Sequence, residues 1–190
     1  MSERLPRLTE AELSEDQLKV YRGITGGPRT AEKQLFALKD AKGALNGPFG
    51  VMLHAPALGM PLQELGAAIR YRTRMSDRSR EIAILKVARA TASAFEWYAH
   101  ERVARAAGLS ELEVGALSDG TFTSSDSTEQ AISTITDDLL SEEHFNDTVF
   151  YRAASELDSE ELIEVTVLVG YYRTLAQMMR VFGISAPTVD

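Results

Sequence analysis

Glu81, Ser93, Glu96 and His100 combine side chains that exchange protons near neutral pH with a spacing that lets them meet. Ser93, Glu96 and His100 stand at offsets of zero, three and seven, so at about 100° of turn per residue they share one stripe of a helix. The stripe continues through Val103, Ala104 and Ala107, while Glu101, Arg102 and Arg105 point elsewhere, so it faces inward. Glu81 lies twelve residues before Ser93, in line with Leu85, Ala88 and Ala92, an apolar row on a preceding helix. A carboxyl group among apolar neighbours has its charged form disfavoured and its pKa raised toward neutrality, where an imidazole already titrates. Glu81, Glu96 and His100 can then take a proton from one carbon or oxygen and return it to another, while Ser93 donates a hydrogen bond or positions water. The start of the helix at Ser93 favours negative charge nearby. Such a set suits chemistry that passes through an enolate.

Each of these residues also has a structural account. Ser93 and Glu96 fit the capping-box spacing, in which a hydroxyl satisfies the N3 amide and the N3 side chain reaches back. Glu81 suits the first turn of a helix, and a single histidine on an apolar face is commonly a satisfied core residue. Their coincidence on adjacent helices favours a site. Metal binding is the other use of such residues, because Glu96 and His100, four apart, can reach one ion with Glu81 as a third ligand. No second histidine lies nearby, so neither a metal nor a cofactor is assigned. Trp97, His54 and Tyr171 are placed as walls of a substrate pocket, with core packing the alternative for Trp97 and for Tyr171 and its neighbour Tyr172, a candidate of the same kind.

The elements that must position these groups read as helices. Thr9 with Glu12 and Ser14 with Gln17 fit capping boxes, and a helix follows near Glu15 to Gly23. Gly26-Gly27-Pro28 breaks it, and a second helical segment carrying Leu35, Leu38 and Ala41 is expected to run to about Gly43. After the loop Asn46-Gly47-Pro48-Phe49-Gly50, Pro56 opens a helix with Leu58, Leu62, Leu65 and Ile69 as its apolar face. Ser76 or Asp77 caps the helix of Glu81, over about Ser79 to Ala92, and the next runs from Ser93 to near Gly108. Ser110 with Glu113 caps a short successor, and residues 118–128 read as a surface loop. Further helices are expected over about Glu129 to Leu140 and Phe145 to Leu157. The last opens at Asp158, capped with Glu161, and carries Ile163, Val167, Gly170, Thr174, Met178 and Val181. Ser79-Arg80-Glu81-Ile82 and Ser159-Glu160-Glu161-Leu162 begin two helices alike, which allows two related helical units. The fold class is therefore all-α, in one domain: a helical arm over 1–45, a core motif region over 62–117, the loop, and C-terminal helices over 129–183.

Bulk properties exclude several classes of partner. The 190 residues are 44% hydrophobic, enough for a real core. Twenty Lys and Arg against 28 Asp and Glu leave a formal charge of −8, which repels phosphate backbones and anionic headgroups, so neither nucleic acid nor a membrane is an expected partner. No stretch approaches the roughly 20 apolar residues of a membrane span and no basic-then-apolar leader is visible, so a cytoplasmic location is expected. The chain has no cysteine, which removes disulfides, thiolate metal sites and thiol chemistry.

The run Arg80-Glu81-Ile82-Ala83-Ile84-Leu85-Lys86-Val87-Ala88-Arg89, with Phe95-Glu96-Trp97-Tyr98-Ala99-His100-Glu101 and Ala106-Ala107-Gly108-Leu109-Ser110, resembles the carboxymuconolactone decarboxylase family, within the alkylhydroperoxidase D-like superfamily. The resemblance covers about Leu62 to Leu117, and Asn46-Gly47-Pro48-Phe49 and Val169-Gly170-Tyr171-Tyr172-Arg173 are similar to flanking segments of longer members. It implies an all-α fold and homo-oligomers, trimers or hexamers, acting on small molecules near subunit contacts. In the family's peroxidase members two cysteines match Ser93 and Glu96, a glutamate matches Glu81 and a histidine matches His100. Without those cysteines a thiol peroxidase cycle is excluded here. The decarboxylase members imply a cofactor-independent acid–base enzyme acting on a small lactone or carboxylated carbonyl compound by decarboxylation, isomerisation or hydrolysis. A dicarboxylate substrate would want a cation, with Arg72, Arg74 and Arg89 as candidates. The alternatives are a metal-assisted hydrolase or lyase, and an inactive oligomeric small-molecule binding protein.

Overall fold

Most helix starts in this chain are set by short-range side-chain bonds. Ser14 accepts from the Gln17 amide while Gln17 takes the Ser14 amide at 2.9 Å, and Ser110 and Glu113 do the same, the latter bond at 2.7 Å. Asp158 accepts from the Glu161 amide at 3.0 Å, and Glu161 takes the Asp158 amide. Each reciprocal pair satisfies amides that the first turn leaves open. The computed structural model describes residues 3–26, 34–141 and 144–187. Its helices are α1 (Glu15–Thr25), α2 (Pro48–Met52), α3 (Pro56–Tyr71), α4 (Asp77–Ala90), α5 (Ala94–Ala106), α6 (Glu111–Asp119), α7 (Ser127–Leu140), α8 (Asp147–Ala153) and α9 (Ser159–Phe182). A single 3-10 turn, Glu10–Glu12, precedes them, and the β pairing among the described residues is one isolated bridge between Lys39 and Leu45. The fold is all-α. No described helix is long and apolar enough to cross a membrane.

The chain divides into two compact units, Met1–Arg72 with Leu175–Asp190, and Thr73–Thr174. In the first, α1 packs on α3. The buried face of α3 is Gly59, Gln63, Gly66 and Ile69; of the row the sequence suggests, Ile69 is buried and Leu62 half-buried, while Leu58 is 72% exposed and Leu65 39%. Close approach selects the glycine side, because a Cβ at Gly59 would lie 2.3 Å from the Met52 carbonyl oxygen. The expected helix through Leu35 to Gly43 is also absent from residue 34 onward, while residues 27–33 lie outside the described residues. Asp40 explains the change. Its carboxylate accepts from the amides of Lys42 and Ala44 at 2.8 and 3.0 Å, which closes a turn that competes with helix, and Gly43 takes a φ of 87° within it.

The second unit is built around α4, in which ten consecutive residues, Ser79 to Ala88, are buried. A helix buried all round needs cover on every side, and α5, α6 and α7 supply it. Ile82 and Leu85 of α4 form a core with Ala104, Leu109, Val114, Leu117 and Phe122. Arg78 ties these elements together: it donates to Glu129 at 2.7 Å, to Glu113 at 2.7 Å and to the Gly108 carbonyl at 2.6 Å. Arg78 and the Ser110 cap hold the Glu113 carboxyl down at about 2. Lys86 reaches Asp137 at 2.8 Å and fastens α4 to α7. Arg74 binds Asp158, and its amide donates to Glu164 at 3.0 Å, which anchors the start of α9. On α9 the row Ile163, Val167, Gly170 and Thr174 faces outward, while Val165, Leu168, Val169 and Tyr171 are buried.

Arg78→Met is expected to destabilise the protein by about 2 kcal/mol, because it strands two partly buried carboxylates. Denaturant unfolding at pH 7 checks this. The loss should shrink as pH falls from the ordinary glutamate range toward 2, where Glu113 takes up its proton in wild type as well.

Candidate functional site

The turn between α4 and α5 is only three residues long and brings the two helices back to back. The Ser93 amide bonds the Ala88 carbonyl at 2.9 Å. Ala92 sits at a φ of 50°, the single non-glycine residue among those described with a positive value. Left-handed alanine costs about 1 kcal/mol, and here it sets how the second helix leaves the first. As a result Glu81, in the second turn of α4, faces His100, in the second turn of α5.

His100 lies between two carboxylates. Its Nδ1 is 2.7 Å from Glu81 Oε2 and its Nε2 is 3.4 Å from Glu96 Oε2. All three are buried: Glu81 is 1% exposed, Glu96 3% and His100 7%. Burial raises the Glu96 carboxyl to about 7, with the Glu81 charge adding to the rise and His100 opposing it. One oxygen on each acid, Glu81 Oε1 and Glu96 Oε1, has no hydrogen-bond partner, nor has the buried Arg80 Nε, 3.9 Å from Glu81 Oε1. Arg80 ties its terminal nitrogen to Asp77. The Tyr172 ring stands edge-on to the imidazole, with centroids 5.1 Å apart.

The capping account of Ser93 and Glu96 does not hold in the structure. Ser93 occupies the N-cap position of α5 but makes no side-chain cap bond, and Glu96 turns to His100 instead. Ser93 borders an open pocket of about 190 Å³ with Trp97, Ala88, Arg89, Ala92, Ala94 and Ser118. Trp97 has a double position, packed against the Ile82–Leu85 core on one side and lining the pocket on the other. Tyr171 is 4% exposed and stacks edge-on to Tyr172, so of this pair Tyr172 is the one beside the imidazole. His54 belongs to the first unit, where its Nε2 is 3.0 Å from the Pro6 carbonyl oxygen. The two carboxylates address opposite edges of one ring, so they do not converge on a shared point, and no three acidic or histidine side chains among the described residues are grouped to hold a metal ion.

Arg80 is the neighbour of the cluster that spacing arguments pass over, since only its adjacency to Glu81 marks it, while Tyr172, a candidate with Tyr171, comes to the imidazole from α9, far along the chain.

Residues 56–137, which hold the whole cluster except Tyr172, match the model of the carboxymuconolactone decarboxylase family. Solved structures similar to this chain share the helical fold at low identity. An alkylhydroperoxidase AhpD core protein from Ralstonia eutropha JMP134, an uncharacterised peroxidase-related protein, superposes with a TM-score of 0.75 at 13% identity, over 97% of this chain and 92% of that one. A cysteine-to-alanine form of the debrominase Bmp8, in complex with 2,3,4-tribromopyrrole, gives 0.75 at 15% identity, over 99% and 94%. A protein of unknown function from Agrobacterium tumefaciens, described as a putative antioxidant defence protein AhpD, gives 0.66 at 19% identity, over 72% and 94%. No curated protein matches the chain in sequence. Within the matched residues the site is built without a thiol, since the chain contains no cysteine.

A carboxyl whose folded pKa is raised from 4.5 to about 7 is favoured by folding only in its protonated form. The penalty for ionising it is absent below the unfolded value and complete above the folded one. Glu96→Gln is therefore expected to raise stability relative to wild type at pH 8, by about 1–3 kcal/mol, and to leave it nearly unchanged at pH 4. Thermal unfolding across that range reads the difference directly.

Proposed function

We propose that this protein is a cofactor-independent acid–base enzyme acting on a small lactone or carboxylated carbonyl compound, with Glu81, Glu96, His100 and Ser93 as its catalytic residues. The observation that carries this function is one imidazole held between two buried carboxylates whose surroundings differ. Glu81 orients the ring: accepting from Nδ1–H, it leaves the Nε2 lone pair directed at Glu96. Glu96, protonated up to about pH 7, holds the proton to be delivered, and His100 Nε2 can receive or resupply it.

A decarboxylation would proceed by cleavage of the C–C bond to the departing carbon dioxide, leaving the electron pair on the substrate carbonyl as an enolate. The Ser93 hydroxyl and the start of α5 are suited to the oxyanion, and Glu96 then protonates carbon. In an isomerisation the same groups take a proton from one carbon before returning it to another. The unbonded oxygens of Glu81 and Glu96 fit this use, since a substrate or water hydrogen would satisfy them. The family domain and a debrominase of the same fold that holds a small planar ring support a small cyclic substrate.

On a panel of lactones and β-keto acids, Glu96→Gln and His100→Ala are each expected to lower kcat by about 100-fold or more with the fold intact. Unchanged turnover in both would remove these residues from the reaction. The protein is also proposed to act as a homo-oligomer, a trimer or hexamer. Ile163 at 64% exposure, Val167 at 39% and Leu112 at 86% leave apolar surface that a second copy would cover. Ile163→Arg should then shift the mass measured by light scattering toward the monomer.

A further inference from the structure

We infer that Arg80 is the positioning residue of the Glu81–His100–Glu96 cluster: its buried guanidinium holds the negative charge of the two acids on Glu81 and leaves the exchangeable proton on the Glu96 edge of the imidazole. Its effect on turnover rests on the acid–base function proposed above, whereas its effect on the charge of the cluster does not.

The surface partner of Arg80 does not account for its burial. Arg80 is 6% exposed, yet Asp77, the carboxylate that holds its terminal nitrogen, is 76% exposed. A pair with an exposed carboxylate is screened and weak, and it forms as well with the guanidinium out in water. Burying the guanidinium costs more than such a pair returns, so a second negative group is needed inside. Glu81 is that group. Its Oε1 and the Arg80 Nε lie 3.9 Å apart, both buried and both without a hydrogen-bond partner. Consecutive residues of a helix are turned about 100° from each other and do not meet by spacing alone. Attraction between opposite charges in a dry space explains why these two charged ends lie close.

The guanidinium reaches one acid and not the other. Among the described residues no arginine or lysine pairs with Glu96, whose carboxyl is governed by burial, His100 and Glu81. The other charges around α4 are engaged elsewhere: Arg78 with Glu113 of α6 and Glu129 of α7, and Lys86 with Asp137 of α7. Arg89 donates its Nε to the Ser118 carbonyl. His100 and Glu96 face Glu81 from α5, and Tyr172 of α9 stands at the imidazole. Arg80 is thus the permanent cation of the cluster, since a guanidinium keeps its charge at any working pH. A fixed positive charge beside one of two acids separates them, because it favours the ionised form of the nearer and leaves the proton to the farther. His100, donating Nδ1–H to Glu81, then keeps Nε2 for Glu96.

The test reads the charge of the cluster directly. His54 and His144 are the other histidines of the chain, so His54→Gln/His144→Gln leaves His100 as the single imidazole. In this background the full-length protein, isotope-labelled at the histidine nitrogens, is titrated by NMR from about pH 5 to 9. Removing a positive charge raises the proton affinity of nearby groups, so Arg80→Gln is expected to move the His100 midpoint alkaline by about one pH unit or more. Arg80→Lys, which keeps the charge, should hold the midpoint of the parent. An unmoved midpoint in folded Arg80→Gln, or no titration in it and its parent, overturns the assignment, as does an equal shift in Arg80→Lys. If Arg80→Gln does not fold, as circular dichroism reads, Arg80→Lys decides alone. Folded with the parent's midpoint it supports the charge role, and unfolded or shifted it makes the guanidinium a packing group. Turnover on the lactone panel is a separate reading, in which the alkaline limb of kcat, set by protonated Glu96, should move with the NMR midpoint. A shifted midpoint without turnover overturns only the proposed reaction, and turnover with an unmoved midpoint overturns only the role of Arg80.

Discussion

The bond between Glu81 Oε2 and His100 Nδ1, 2.7 Å long and almost wholly out of water, is the contact on which the rest of the second unit turns. Taking a carboxylate and a polar ring out of water is costly unless the two are paired. Pairing them fixes the ring in one orientation, and that orientation decides what Glu96 meets. Glu96 arrives on the opposite edge as a second acid in the same dry space, and two carboxylates this close to one imidazole cannot share the same environment. Burial pushes the Glu96 carboxyl up to about 7, with the Glu81 charge adding to the rise and His100 opposing it. The two glutamates thus meet the ring on different terms, Glu81 at 2.7 Å from Nδ1 and Glu96 at 3.4 Å from Nε2.

The protein concentrates its unmet polar demand in this cluster. Arg78, Lys86 and Arg74, around the periphery of the unit, all have carboxylate partners within hydrogen-bonding reach. Inside, Arg80 Nε, Glu81 Oε1 and Glu96 Oε1 are left unbonded, and the one strained non-glycine backbone position among the described residues, Ala92, sits in the turn that joins the two helices. Defects of a few kcal/mol persist only where the surrounding structure over-determines them. The continuous burial of α4 from Ser79 to Ala88, covered on three sides, supplies that rigidity. The stable frame and the costly site are the same helix seen from two faces.

The sequence is legible where the governing contact is local. The capping pairs at Ser14, Ser110 and Asp158 form as their spacing predicts, because both partners lie within one turn. The same spacing at Ser93 and Glu96 misleads, since a residue from the following turn, His100, already committed to Glu81 on another helix, draws Glu96 away. Three other differences have similar causes. Leu58 and Leu65 of α3 stay outside because a close backbone approach selects Gly59, which hydrophobic periodicity does not weigh. Leu35 to Gly43 carries helical spacing, yet Asp40 closes a turn across it. Tyr171 and Tyr172 are indistinguishable in sequence, and a contact between residues far apart in the chain puts Tyr172 at the imidazole. The convergence of Glu81 with His100 was readable because an antiparallel helix pair joined by a short turn leaves little freedom in which faces meet.

The resemblance to thiol-bearing members implies that Ser93 and Glu96 stand where a cysteine pair would, and the geometry shows why that exchange is self-consistent. A serine hydroxyl stays protonated at any ordinary pH, so at the head of α5 it can donate a hydrogen bond but cannot become the nucleophile that a thiolate is. A glutamate at the second position brings a carboxylate to the free edge of the imidazole, which a thiol would have met with a sulfur. The Glu81–His100 bond is untouched by either change. A scaffold that orients an imidazole against a buried acid serves a thiol by accepting its proton, and serves Glu96 by trading one. A hydroxyl and a carboxyl on one helical turn carry no thiol chemistry, and they leave beside the imidazole groups of the kind that the proposed acid–base function calls for.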